Sequence, residues 1–73
     1  MSTESDLAQA FIEIVAGRNF VAFEELETKL RTSRSELIRL KGKLEDALRQ
    51  HEHSHIHLTS RLEVDPPGFE IGE

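Results

Sequence analysis

Four imidazoles fall within one short run, His51-Glu-His-Ser-His-Ile-His57, and they are all the histidines of the chain. On a β-strand a spacing of two puts such residues on one face, where imidazoles can share a zinc or nickel ion. The same residues serve equally as a pH-dependent contact, because histidine changes charge near neutrality, or as a plain solvated face. His51 and His53 are expected to straddle the end of a helix, and no second ligand cluster occurs elsewhere, so no metal site is assigned. Ser54 stands among these histidines, but neighbours in sequence are not a catalytic triad. A nucleophile needs a positioned base and an orienting group in a pocket of about 300 Å³ or more. So short a chain has little core from which to build one, and no catalytic residue and no cofactor are assigned.

The second chemical feature is charge. The formal net charge is −5, which argues against indiscriminate binding of nucleic acid. The distribution is uneven, however. Lys29, Arg31, Arg34, Arg39, Lys41, Lys43 and Arg49 face only Glu36, Glu45 and Asp46 within residues 29–49, a net of +4 that leaves −9 for the remainder. Such segregation lets one element present a positive face on an acidic molecule, the alternative being a mixed-charge solvated helix.

At 73 residues the chain is one domain, expected to bury only about 60% of its unfolded surface. It contains no cysteine, which excludes disulfides and thiol chemistry. The N-terminus is polar and acidic, and no apolar run approaches the roughly 18 residues that span a bilayer, so a location in the cytoplasm, or in the nucleus of a eukaryote, without a membrane partner is expected. Residues 1–5 are read as a flexible N-terminus and residues 6–73 as the folded domain.

The elements follow from periodicity. Leu7, Ala10, Phe11, Ile14 and Val15 recur at helical spacing after an N-cap at Thr3 or Ser5, and Gly17 supplies the residue type that ends a helix in left-handed conformation. Phe20-Val-Ala22 is a short extended piece. Phe23, Leu26 and Leu30 share one face of a second, short helix, with acids at its start and bases at its end. Ser33-Arg-Ser-Glu36 is a capping box opening a third helix of about 17 residues, whose inner face is Leu37, Leu40, Leu44, Ala47 and Leu48. Beyond His51 the period drops to two: Ile56 and Leu58, then Leu62 and Val64, read as strands. Asp65-Pro-Pro-Gly68 is a turn, and Phe69 to Ile71 a last strand, which pairs either within the domain or with another chain.

From Val21 to Leu44 this order resembles the helix-turn-helix core of winged-helix domains, with the trailing strands similar to the wing. The resemblance implies an α+β fold, a small winged helix of three helices followed by a C-terminal β-hairpin. Two positions depart from the pattern: Arg31-Thr32 replace the usual glycine and apolar residue of the turn, and Ala22 stands where a serine or threonine normally caps the second helix.

The resemblance implies double-stranded DNA as a partner, read by the third helix. In that reading Arg34, Ser35, Ile38, Arg39 and Gly42 approach bases, Lys41 and Lys43 meet phosphates, and a homodimer supplies enough contacts for a transcriptional regulator. Arg61 is the one cation in the presumed wing, beside Glu63, Asp65, Glu70 and Glu73, which weakens a DNA role for that element. Because the fold also serves protein interaction, the alternative is an accessory subunit that meets a protein partner through Ile38, Gly42 and exposed apolar residues such as Ile12. Gly42 is unusual in either case, since an exposed helical glycine costs about 0.8 to 1.0 kcal/mol relative to alanine.

Overall fold

Helix formation in this chain is driven by leucine and phenylalanine stripes, and a computed structural model, which describes residues 4–72, shows where each stripe is buried. The elements run α1 (Glu4–Val15), β1 (Phe20–Ala22), α2 (Phe23–Leu30), α3 (Arg34–Arg39), α4 (Lys41–His51), β2 (His57–Arg61) and β3 (Gly68–Gly72). The three strands form one antiparallel sheet in the order β1-β3-β2. Four helices and a C-terminal hairpin make an α+β arrangement compatible with a small winged helix.

α1 begins inside the segment expected to be flexible, at Glu4. Ser5 therefore lies within the helix rather than capping it, while Thr3 lies outside the described residues. Gly17 takes φ 75° just past the helix, the left-handed conformation expected of it. α1 buries more than its predicted stripe. Ile12, expected on the surface, is only 7% exposed, because α4 lies alongside and Ala47 shares the groove that Ala8 and Ile12 line.

α2 has no side-chain cap at Ala22; the amide of its first residue, Phe23, donates instead to the carbonyl of Pro67, 2.9 Å away at the base of the wing. At its other end Arg31 adopts φ 53°, ψ 51°, and the amides of Arg31 and Thr32 both donate to the carbonyl of Glu27. This is a glycine-type helix ending built with a residue that carries a Cβ.

The predicted third helix is two. Ser33 does cap it, its hydroxyl accepting from the amide of Glu36 at 3.2 Å, but the chain leaves helical geometry at Leu40 (φ −92°, ψ 5°) and resumes as α4. Leu40 donates back to Glu36 and accepts from Leu44, so the hydrogen-bond ladder passes through the break. Leu37, Leu40, Leu44 and Leu48 remain buried across it, which is why their spacing read as one helix.

In the hairpin the pairing runs from His57↔Gly72 to Arg61↔Gly68 and stops. Leu62 to Val64 is therefore loop, not strand, with Leu62 58% and Val64 43% exposed. Residues opposite them would have to include Pro66 and Pro67, which have no amide hydrogen to give a ladder. β3 is paired on both sides, so the last strand offers no open edge to another chain. Gly68 is where it passes closest to β1: a Cβ there would run into the carbonyl oxygen of Val21 and lie 2.7 Å from the Cα of Ala22.

The core gathers at Phe69. Its ring meets Phe23 of α2 at 4.8 Å and 75°, and Phe11 of α1 at 6.2 Å and 89°, both edge-to-face. Val21, Leu26, Leu37, Leu44 and Leu58 pack into the same cluster.

Left-handed backbone costs a residue with a Cβ about 1–2 kcal/mol, part of which glycine returns as extra freedom of the unfolded chain. Arg31→Gly is accordingly expected to stabilise the domain by about 0.5–1 kcal/mol, read as a higher urea midpoint at unchanged slope.

Candidate nucleic-acid interface

The residues expected to read DNA lie in two short runs rather than on one straight helix. Arg34, Ser35, Ile38 and Arg39 are exposed on α3; Lys41, Gly42 and Lys43 occupy the first turn of α4, with the break at Leu40 between them. Ile38 is 39% exposed, an apolar side chain in the middle of a charged surface.

The arginines of this set are engaged by neighbouring carboxylates. Arg39 is held by Glu36 one turn earlier through two parallel bonds, Nε to Oε1 at 2.7 Å and Nη2 to Oε2 at 2.8 Å. Glu36 thus spends its side chain on Arg39 instead of completing the reciprocal half of the capping box, and the arginine holds its carboxyl below the usual range. Arg34 folds back over α2, its guanidinium 5.1 Å from the centre of the Phe23 ring and 3.9 Å from Glu27. Exposed pairs of this kind are screened by solvent and contribute little, so a polyanion can displace the carboxylates at small cost.

Gly42 has open space where a side chain would go: a Cβ there meets no atom within 4 Å. Nothing in the fold itself requires glycine at this position, unlike Gly68.

The wing does not extend the positive surface. Arg61 donates to Glu70 from Nη2 at 2.7 Å and from Nε at 3.1 Å, with Glu63 at 3.6 Å, and these acids raise its pKa. Around it Glu63, Asp65 and Glu70, with Phe20, Val64 and Pro66, line a groove. Arg61 is therefore bound within an acidic element and is poorly placed for phosphate.

The histidines are dispersed. His51 ends α4, His53 and His55 lie in the following turn, and only His57 is in a strand. His53 accepts from the amide of His55, and their rings are 6.4 Å apart. Among the described residues no three histidine, aspartate or glutamate side chains converge on a possible metal position. Ser54 stands in the same exposed turn.

Periodicity gave no sign of the link between α4 and the wing. Glu45 accepts from the amide of Leu58 at 2.8 Å, and Arg49 donates to the carbonyl of Ile56 at 2.9 Å and reaches His57 Nδ1 at 3.1 Å, where arginine, having only donors, makes the ring nitrogen the acceptor. The two side chains are themselves 3.5 Å apart. Their i,i+4 spacing is visible in the sequence, but which strand they meet is set by tertiary packing. They occupy the outer backbone groups where β2 begins, covering that end of an edge strand against pairing with another chain.

Family models, curated proteins and solved structures were compared with the chain, and none matches.

Two outcomes follow from this geometry. Gly42→Ala should raise stability by up to about 1 kcal/mol, since it adds helix propensity without a clash; a loss of stability in thermal unfolding would mean that the backbone there is strained. The second concerns acid. Glu25, bonded to Arg18 and Lys29, is lowered from 4.5 to about 2, and Glu45, chiefly through the Leu58 amide, is lowered as well. Carboxylates depressed on folding stabilise above their unfolded pKa, so their contribution is complete above about pH 4.5 and is lost as pH falls toward 2. Urea midpoints across that window should drop steeply for the native chain and less for Glu25→Gln, and equal slopes would show that the pair contributes nothing.

Proposed function

We propose that this chain is a small DNA-binding regulator that meets the duplex with the exposed faces of α3 and the first turn of α4, leaving the wing off the DNA. The observation that carries the reading is charge segregation: residues 29–49, net +4, run from the end of α2 through the turn, α3 and most of α4. Ser35, Arg39 and Ile38 are the groups offered to base edges, and Lys41, Lys43 and Arg31 those offered to phosphates. Gly42, with nothing near it, lets a phosphate or sugar come close to the helix. No helix among the described residues is long and apolar enough to cross a membrane, and a DNA target goes with the compartment that holds the DNA, the cytoplasm of a bacterium or the nucleus of a eukaryote. The role is binding, not catalysis, and calls on no cofactor.

A protein partner in place of DNA is the second reading. It is favoured by one observation, the exposure of Ile38 at the centre of the same face.

Fluorescence anisotropy with a labelled mixed-sequence duplex separates the two. Under the DNA reading the chain binds at low salt and weakens steeply with added salt, log K falling by about 0.9 per log unit of salt for each phosphate neutralised. Arg39→Glu with Lys43→Glu abolishes binding. Glu36→Gln, which removes the carboxylate that clamps Arg39, tightens it a few-fold. No binding at low salt, or equal binding by the charge-reversed chain, leaves the protein-partner reading in its place.

A further inference from the structure

Two surfaces of this molecule are complementary to one another. The wing carries a groove of about 460 Å³ lined by Phe20, Val64 and Pro66 together with Glu63, Asp65 and Glu70, with Arg61 already bonded to Glu70. Val64 there is 43% exposed, and the adjoining Leu62 is 58% exposed. The helical face carries the opposite sign: one apolar side chain, Ile38, 39% exposed, with Arg34, which also lies over Phe23, four residues before it and Lys41, past the break at Leu40, three after. Each surface thus combines exposed apolar side chains with charge, acidic at the groove and basic beside Ile38.

We propose that the wing groove is a docking site for the α3 face of a second copy of this chain, with Ile38 seated over Val64 and Pro66 and the flanking cations against Glu63 and Asp65. Pairing of exposed strands is the usual alternative for a small sheet, but β3 is paired on both sides, the start of β2 is covered by Glu45 and Arg49, and the other edge strand, β1, is 3 residues long. The contact joins different patches of the two molecules, so it closes into a ring or continues as a chain, rather than being restricted to a two-fold dimer. It uses the same helical face as the proposed DNA contact and competes with it, yet it does not depend on that reading, because it is measured without nucleic acid.

The test is sedimentation equilibrium of the full chain over a range of concentrations, at about 10 mM and about 150 mM salt, where the screening length falls from roughly 30 to 8 Å. The average mass should rise with concentration at low salt and fall back toward the monomer at high salt. Glu63→Lys with Asp65→Lys, and separately Arg34→Glu with Lys41→Glu, should each weaken self-association by about tenfold or more, because like charges then face each other. Mixing the two reversed chains restores it, since each wing again meets a helix of opposite sign, and that recovery also shows both variants to be folded. A native chain that stays monomeric at low salt overturns the proposal, as does association that survives both reversals or a mixture that fails to recover.

Discussion

The position of Phe69 governs how the rest of the molecule is arranged. A phenylalanine ring on the central strand offers two edges, and α1 and α2 each present one of their own phenylalanines to it. Burying three such rings contributes about 1.5–3 kcal/mol for each, a large share of what so small a domain can gather. The helix-turn-helix and the sheet are therefore not independent units. α2 is oriented by Phe23 against Phe69, and α3, attached through a turn, inherits that orientation.

Electrostatics then divides the surface. The cations of residues 29–49 outnumber the acids by four, and in three dimensions carboxylates attend several of them. Glu36 takes Arg39, and Glu27 lies near Arg34. Glu45 and Arg49 face the other way and bind backbone groups of the wing. One helix thus holds charges with two unrelated duties, α4's first turn facing solvent and its later turns holding a strand in place.

Much of this was legible from residue type and spacing. Ser33 announced the start of α3, Gly17 the end of α1, and Asp65-Pro-Pro-Gly68 the return of the hairpin. The misreadings have specific physical causes. The break at Leu40 leaves the leucine stripe unchanged, because a local departure of the backbone need not turn the buried face. Ile12 was placed outside because a single-stripe reading assumes one neighbour, whereas α1 is covered by α4 as well as by the core. Leu62 and Val64 alternate as a strand does, but alternation is silent about whether the opposite chain can donate hydrogen bonds, and two prolines there cannot. The paired arginines escaped notice for a related reason: composition counts charges and says nothing of which ones already hold a partner.

The amide of Phe23 finds its acceptor in Pro67, contributed from the far end of the sequence. During synthesis the helix-turn-helix emerges first, with α2 lacking that acceptor and with Phe11 and Phe23 lacking the ring that joins them. The earlier part of the chain lacks these partners until β3 leaves the ribosome. Docking of α2 is in this sense deferred until β3 has been made, and α3, which follows α2 through a turn, is oriented only then.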